Sequence, residues 1–295
     1  ASYPFGGMLI QDPVHDVARL LFLTCALLTS LIGSRFFRDR GADDAEFHHL
    51  LLIATAALMV LAQSFHVATF FIALETATVG LYVLVGFLRR SPASLEAGVK
   101  YLVAGGLSSA LLLMGFVLLQ GHAGAHSAEG VPLDPLSFSV IWESTLHGFS
   151  PLALVGAALV LVGVAFKMGA APFHGWVPDV YQGAPSPVSA FLATASKAAG
   201  VVGCFLLLEG PLANLQPRLA PVLAVLAAAS LLAGNLGALG SSQSKRALAL
   251  SGVSHAGFLL AVLAAALSLE SGLAHPMVLL TLLAYLLAYS IGTFA

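Results

Sequence analysis

The amino-acid sequence predicts an all-α polytopic membrane protein with about nine transmembrane helices, one of them broken near Pro172. Hydrophobic residues make up 59% of the 295-residue chain and charged residues only 9%, whereas a soluble domain carries about 25% charged residues. The apolar residues are gathered into long runs, and a helix needs about 20 such residues to cross a bilayer. The runs do not alternate between polar and apolar residues, which argues against a β-barrel.

Nine such runs follow one another along the chain. They occupy 14–34, 47–64, 67–88, 93–120, 151–168, 186–208, 218–239, 247–268 and 276–295. The longest polar connection covers 121–149, and its segment LSFSVIWESTLHGF is predicted to form a short helix on the membrane surface. The first residues, ASYPFGG, contain no initiator Met or signal peptide, so we expect the sequence to be part of a longer chain.

Basic residues are distributed unequally between the two sides that alternating spans define. One side receives Arg35, Arg38, Arg40, Arg89, Arg90, Lys245 and Arg246. The other side receives Arg19 and Arg218. The positive-inside rule therefore predicts that the Arg-rich side is cytoplasmic. The net charge of −2 offers no basic field for a nucleic acid.

Charged residues inside the predicted spans are the most informative feature of the sequence. They are Lys100, Lys167, Lys197 and Glu75. The helical rise places Glu75, Lys100, Lys197 and His255 roughly 12–15 Å from the ends of their spans, close to the midplane of a hydrocarbon core about 30 Å thick. A charge at that depth costs at least about 2.5–3.5 kcal/mol. We therefore predict a row of titratable groups that transfers protons or ions.

Glu75 can neutralise only one of the three lysines, so two are expected to lack an acid partner. Desolvation favours the neutral amine over the ammonium form, and a lysine that exchanges between both forms carries protons. We expect Glu75 and Lys167 to approach within salt-bridge or single-water distance. Hydroxyl groups on the same helical faces line water or form helix–helix hydrogen bonds, and the sequence leaves both interpretations open. These are Thr78, Tyr82, Thr194 and Ser251.

The stretch FKMGAAPFHGWVPDVYQGAPSPVSAFLATASKAAG, 166–200, predicts an interrupted helix. Pro172 has no N–H to donate to the carbonyl of Met168, so the span should end or kink just after Lys167. Irregular backbone at membrane depth requires polar partners or a water-lined cavity, and a broken helix with a charge beside it is typical of transporters. His174 is interpreted as an interfacial residue or as a proton entry group.

This stretch resembles the seventh and eighth helices of subunit N of bacterial NADH:quinone oxidoreductase, the antiporter-like membrane subunit family of respiratory complex I. PDVYQGAPSPV is its most specific part, because sister subunits and multisubunit antiporters typically have a sequence closer to PDAH…APTPVS. Further similar segments run along the chain. They are FIALETATVGLYVLVGF, EAGVKYLVAGGLSSALLLMG, GNLGALGSSQSKRALALSGVSHAGF and LLAYLLAYSIGTFA.

The resemblance implies a fold of roughly fourteen helices with two inverted five-helix repeats, of which this chain would carry spans three to eleven. Residues 1–46 would be the first span and a cytoplasmic connection, 47–208 the first repeat and 209–295 part of the second. The broken helix of the second repeat, with its exit lysine, would then lie outside this sequence.

The resemblance also implies which residues act. The glutamate and lysines of the family and the histidine that follows its KR.LA.SS..H.G pattern match Glu75, Lys100, Lys167, Lys197 and His255. Two positions depart from the pattern, since Leu250 stands where a tyrosine is usual and Gly252 where a serine is usual. Both departures remove hydroxyl groups near His255.

The implied function is proton translocation within an NADH:quinone oxidoreductase of the bacterial inner membrane, with no cofactor bound by this chain. FMN, iron–sulfur clusters and quinone are expected in partner subunits, and the partners are other antiporter-like and small membrane subunits. One alternative is a subunit of a multisubunit cation/proton antiporter or a membrane-bound hydrogenase. A second alternative is a passive scaffold whose charges only seat neighbouring subunits.

Overall fold

A computed structural model describes residues 2–40, 44–125, 134–146, 148–269 and 276–294, which form helices joined by short connections. The first six helices are α1 (Pro13–Arg38), α2 (Ala45–Leu61), α3 (Val67–Val85), α4 (Pro92–Ala125), α5 (Phe138–Ser144) and α6 (Pro151–Met168). They are followed by α7 (Val177–Gly183), α8 (Ser186–Phe191), α9 (Lys197–Glu209), α10 (Gln216–Leu239), α11 (Ser244–Ala266) and α12 (Pro276–Phe294). A π-helical turn, Leu192–Ser196, joins α8 to α9 without a break.

The predicted spans are confirmed by this succession of helices. In the described residues, eight helical segments are long and apolar enough to cross a membrane, and α2 is a shorter apolar helix of 17 residues. The protein is therefore an all-α polytopic membrane protein. The predicted short helix in the long connection is present as α5, whereas α4 extends to Ala125, beyond the predicted start of that connection. The predicted repeat boundaries remain predictions.

Local chemistry fixes the helix ends that matter for the packing. Asp12 caps α1, because its carboxylate accepts hydrogen bonds from the backbone N–H groups of Val14 at 2.9 Å and His15 at 3.0 Å. Ser150 caps α6 through the N–H of Ala153. Both helices have proline at the first helical position, where the missing N–H costs no hydrogen bond.

Glycine allows α4 and α6 to approach backbone to backbone. A Cβ atom on Gly115 would lie 2.7 Å from the carbonyl oxygen of Gly156 and 2.8 Å from the backbone nitrogen of Val160. Small residues at such crossings permit the close packing on which helix association in lipid depends. This contact helps to fix the distance between α4 and α6.

Ion pairs gather several helix ends at one face of the bundle. Arg89, between α3 and α4, pairs with Glu46 at the start of α2 at 2.8 Å. Arg246, at the start of α11, pairs with Asp179 of α7 at 2.9 Å, and Lys100 of α4 pairs with the same carboxylate at 3.0 Å. We call this end of the molecule the basic face. Its residues include the arginines predicted to be cytoplasmic.

The continuous helix from α8 to α9 is enclosed by the others. In its most apolar stretch, 94% of the residues are buried, a larger share than in any other candidate span of the described residues. Helices α1, α6 and α12 pack around it. A polar side chain on this helix is therefore surrounded by protein rather than by lipid.

We expect Gly115→Val to lower the thermal unfolding midpoint of the detergent-solubilised protein, because the larger side chain pushes α4 away from α6. Forced overpacking typically costs about 1–3 kcal/mol. The matched control is Gly106→Val, also in α4, since a Cβ at Gly106 meets no atom within 4 Å. Equal losses for the two variants would show that the α4–α6 contact does not limit stability.

Candidate functional site

Glu75 and Lys167 form the predicted ion pair in the middle of the bundle. The Nζ atom of Lys167 lies 3.3 Å from Oε1 of Glu75. It also donates hydrogen bonds to Oγ1 of Thr78 at 3.2 Å and to Oγ of Ser109 at 3.2 Å. Glu75 and Thr78 are three residues apart on α3 and so share one helical face. Three acceptors thus meet the three N–H donors of an ammonium group.

Ser109 ties the pair together from α4. Its hydroxyl donates to Oε1 of Glu75 at 2.6 Å, while its oxygen accepts the hydrogen bond from Lys167. The lysine side chain is only 6% exposed, whereas that of Glu75 is 22% exposed. The pair is therefore closed on the lysine side and partly accessible on the carboxylate side. Ser109, one helical turn after Gly105, was not among the site residues predicted from the sequence.

The predicted interruption after Lys167 is confirmed. Helix α6 ends at Met168, and Gly169 closes it in the left-handed region at φ 72°. The backbone N–H of Ala170 then bonds to the carbonyl of Ala165 at 2.9 Å, a typical helix-ending pattern. The chain becomes helical again only at Val177.

The carbonyls freed at the end of α6 have polar partners, as the sequence predicts. The indole N–H of Trp176 donates to the carbonyl oxygen of Phe166 at 3.2 Å. Nζ of Lys197 donates to the carbonyl oxygen of Met168 at 3.3 Å. In a continuous helix this second carbonyl would bond to residue 172, but Pro172 has no N–H. Pro172 thus leaves the carbonyl oxygen of Met168 without a helical donor, and Lys197 of the next span donates a hydrogen bond to it.

Lys197 is buried and is held by backbone carbonyls alone. Besides Met168, its Nζ donates to the carbonyl oxygen of Gly252 on α11 at 2.7 Å. Among the described residues, no carboxylate lies within ion-pair distance of this ammonium group. Lys197 directly follows the π-helical turn, a feature that is frequent at functional sites.

His255 lies on α11, less than one helical turn from Gly252. Its Nδ1 atom is 2.7 Å from the hydroxyl oxygen of Tyr285 on α12. The ring of Tyr289, one turn further along α12, lies 4.5 Å from the imidazole ring between centroids. Neither tyrosine is among the site residues predicted from the sequence, although their four-residue spacing in an otherwise apolar span is a signal that the sequence contains.

A cavity of about 700 Å³ leads from the basic face to His255. Lys245, in the first turn of α11, lies at one end of its lining, and Ser251, His255, Tyr285 and Tyr289 line its deeper part. Lys245 and His255 are ten residues apart on the same helix, which corresponds to roughly 15 Å. The cavity therefore reaches about half the depth of a bilayer's hydrocarbon core.

The structure does not place Lys100 in the midplane row, so this expectation was wrong. Nζ of Lys100 pairs with Glu96 at 2.8 Å and with Asp179 at 3.0 Å, and its side chain is 47% exposed. Counting residues along α4 ignored the length of the lysine stem, which carries the charge towards the basic face. It also ignored α7, the short helix that brings Asp179 beside α4. The expectation that two of the three lysines in the spans lack an acid partner was therefore wrong too, because of these three only Lys197 lacks one among the described residues.

His174 lies in the turn after the helix break and is partly buried. Its Nδ1 atom has no hydrogen-bond partner among the described residues. Burial lowers the pKa of this imidazole below its ordinary value of 6.5. In the same residues, no group of three or more His, Cys, Asp or Glu side chains is arranged to hold a metal ion. Cys25 and Cys204 are buried free thiols.

Comparison with known proteins identifies relatives over nearly the whole chain. The family model described as "NADH:quinone oxidoreductase/Mrp antiporter, TM" matches residues 64–295. The "NADH-quinone oxidoreductase subunit N 1" of Opitutus terrae is 46% identical over 99% of this chain and 57% of its own length. The subunit N of Granulibacter bethesdensis is 36% identical over 99% of this chain and 58% of its own. The chain thus spans just over half the length of these relatives.

Solved structures share the fold. A chain of respiratory complex I from Thermus thermophilus superposes with a TM-score of 0.72 at 34% identity, and 97% of this chain covers 58% of that one. A chain of the Mrp complex from Dietzia sp. superposes with a TM-score of 0.75 at 23% identity, covering 97% of this chain and 50% of that one. The second likeness concerns the fold alone.

We expect the two ion pairs of Asp179 to stabilise the position of α7 in a pH-dependent way. The hydrogen bond from Lys100, with the charges of Lys100 and Arg246, holds the pKa of Asp179 below its ordinary value of 3.8. Stability from this carboxylate is therefore present above that ordinary value and is lost as the pH falls through the lower pKa of the folded state. At pH 7, Asp179→Asn should lower the thermal unfolding midpoint by an amount equivalent to about 1 kcal/mol or less, because the group is partly exposed.

The measurement is the unfolding midpoint of both proteins between pH 7 and pH 3. The difference between them should shrink as the pH falls below about 4, because protonation of Asp179 removes the same charge that the substitution removes. Asp39→Asn is the control, since Asp39 takes part in none of the ion pairs among the described residues. A difference that stays constant down to pH 3 would contradict an electrostatic role for Asp179.

Proposed function

Because the chain belongs to the NADH:quinone oxidoreductase/Mrp antiporter family of membrane subunits, we propose that it serves as the proton-translocating subunit N of a bacterial respiratory complex I. FMN, iron–sulfur clusters and quinone chemistry belong to partner subunits in this proposal, and this chain contributes no redox centre. The subunit lies in the inner membrane beside other antiporter-like and small membrane subunits, with the basic face towards the cytoplasm. Its share of the reaction is to move protons through Glu75, Lys167, Lys197 and His255.

The observation that carries the proposal is the way in which Lys197 is held. Its Nζ atom makes two hydrogen bonds, to the carbonyl oxygens of Met168 and Gly252. An ammonium group has three N–H donors and a neutral amine has two. Both hydrogen bonds therefore survive when Lys197 gives up a proton. The site can exchange protons without leaving a backbone carbonyl unsatisfied.

Lys167 is held in the opposite way. Its three hydrogen bonds use every N–H of the ammonium form, and one of the acceptors is the Glu75 carboxylate. Loss of its proton would break one hydrogen bond and leave the carboxylate without its counter-charge. Lys167 therefore retains its proton until Glu75 is drawn away or neutralised.

These two lysines define a step with a direction. When a partner subunit weakens the ion pair, the proton of Lys167 leaves for the neutral amine of Lys197, and Lys167 becomes an amine while Lys197 becomes an ammonium. The end of α6 connects the two residues, since Met168 follows Lys167 directly and binds Lys197. From Lys197 the proton passes towards His255 and the cavity that borders it. Lys100 lies apart from this route, and we propose that it acts by holding α7 through Asp179.

The two alternative functions differ from this proposal in measurable ways. A subunit of a cation/proton antiporter would co-purify without flavin and iron–sulfur subunits, and the likeness to the Mrp chain supports only the shared fold. A passive scaffold would tolerate neutral substitutions of the buried lysines once it is assembled. The next two experiments address the scaffold.

Lys197→Arg should assemble normally yet slow proton pumping, because arginine keeps its proton at every pH between 6 and 8. Lys197→Ala should lower pumping by about tenfold or more, because positioned acid–base groups contribute about 10²–10⁴ to a rate. The measurement is quinone-linked proton pumping in proteoliposomes, normalised to the assembled complex. Native pumping by the arginine variant across pH 6–8 would exclude titration of Lys197 from the mechanism.

Neutralising the buried pair should separate assembly from pumping. Glu75→Gln alone leaves the buried Lys167 charge without a counter-charge. Because breaking a buried ion pair costs about 3–5 kcal/mol, less complex should assemble. Glu75→Gln with Lys167→Gln should restore assembly without restoring pumping. The matched control is Glu46→Gln with Arg89→Gln, an exposed pair on the basic face whose loss should affect neither quantity. A double variant of the buried pair that pumps at the native rate would remove both residues from the proton route.

A further inference from the structure

Tyr289 lines the cavity and has its hydroxyl near Lys197. The cavity is lined by Tyr289, Tyr285 and His255, whereas Lys197 is enclosed behind this lining and does not belong to it. A proton that leaves Lys197 for the cavity must therefore cross a wall of side chains. The hydroxyl of Tyr289, one of the lining residues, lies near this lysine.

Gly252 locates the hydroxyl of Tyr289. A Cβ atom at Gly252 would lie 3.2 Å from the hydroxyl oxygen of Tyr289 and 3.6 Å from Nζ of Lys197. Both polar atoms thus face the same small volume beside α11, and the absence of a side chain at Gly252 leaves that volume open. A larger residue at this position would separate the two groups.

The other side of Tyr289 faces His255. The two rings are in contact, with centroids 4.5 Å apart. Nδ1 of His255 lies 2.7 Å from the hydroxyl oxygen of Tyr285, and the relay uses the tautomer in which Nδ1–H donates to that oxygen, so that Nε2 is the unprotonated ring atom that takes the proton. On α11, the residues at 250 and 252, where the family pattern usually has a tyrosine and a serine, are leucine and glycine, and Ser251 lines the cavity together with His255. The hydroxyl of Tyr289, on α12, lies near Nζ of Lys197, and the ring of the same tyrosine contacts His255.

We propose that the hydroxyl of Tyr289 relays protons between Lys197 and His255, and that Gly252 provides the space for it. The hydroxyl oxygen accepts a proton from the Lys197 ammonium, directly or through one water, and the phenol releases its own proton towards Nε2 of His255. Lysine becomes an amine, imidazole becomes imidazolium, and the tyrosine is unchanged after each transfer. This role rests on the proposed function and adds a residue to its route.

The proposal predicts a rescue that a packing role does not. Tyr289→Phe removes only the hydroxyl and should lower proton pumping at least about fivefold, a small part of what positioned proton-transfer groups contribute. Gly252→Ser in the Tyr289→Phe background places a hydroxyl next to Nζ of Lys197, where the lost phenol oxygen has left room. This double variant should recover at least half of the native pumping rate. Gly252→Ala in the same background fills the space without a hydroxyl and should recover nothing.

The test uses the assembled, reconstituted complex with NADH-driven proton pumping normalised to assembled protein. Native pumping by Tyr289→Phe overturns the proposal, and so does equal recovery with serine and alanine at position 252. If Tyr289→Phe fails to assemble, 2,3-difluorotyrosine at position 289 retains the shape and the hydroxyl but makes the phenol more acidic. A relay then changes its rate at fixed pH by at least about twofold, while an unchanged rate overturns the proposal.

The Lys197→Ala complex separates this proposal from the one on which it rests. Native pumping by that variant would refute proton transfer through Lys197 altogether. Impaired pumping by Lys197→Ala combined with native pumping by Tyr289→Phe would refute only the role of Tyr289.

Discussion

The missing N–H of Pro172 is the constraint on which the site depends. It ends α6 at Met168 and leaves a carbonyl without a helical partner in the middle of an apolar bundle. An unsatisfied carbonyl in such surroundings costs several kcal/mol. Lys197 supplies the donor, and in this position no carboxylate of the described residues lies within ion-pair distance of it. Pro172 and the left-handed Gly169 together explain the broken helix, and the Met168 carbonyl that Pro172 leaves free explains why Lys197 lies beside the break.

The two buried lysines illustrate how hydrogen-bond counts distinguish charges of the same type. Lys167 has three acceptors, one of them Glu75, and its environment matches an ammonium group. Lys197 has two, and its environment serves an ammonium group or an amine equally well. Glycine contributes to this difference, because Gly252 leaves its carbonyl and the space beside it free for Lys197. The two lysines therefore differ in their proton chemistry because the groups around them differ.

Much of the fold and part of the site could be predicted from the sequence. The apolar runs predicted the spans, Pro172 predicted the break, and the cost of isolated charges predicted that Glu75 meets Lys167. Lys100 was placed wrongly because depth was counted along its own helix, although Glu96, one turn earlier, was a visible ion-pair partner. Tyr285 and Tyr289 were missed because their contacts depend on how α12 packs against α11. Hydropathy predicts that two helices cross a membrane, and it does not determine which of their faces meet.

The positions of the charges also indicate where an outside signal can act. Lys197 keeps its hydrogen bonds in either protonation state, so nothing local drives its exchange. In the proposed mechanism the drive comes from the Glu75–Lys167 pair, whose energy depends on both charges being present. Of the two, Lys167 is nearly enclosed, whereas 22% of the Glu75 side chain is exposed. In the proposed mechanism, a charge that approaches from a neighbouring subunit reaches the carboxylate first, and a weaker bond between Glu75 and Lys167 affects the end of α6, where Met168 binds Lys197.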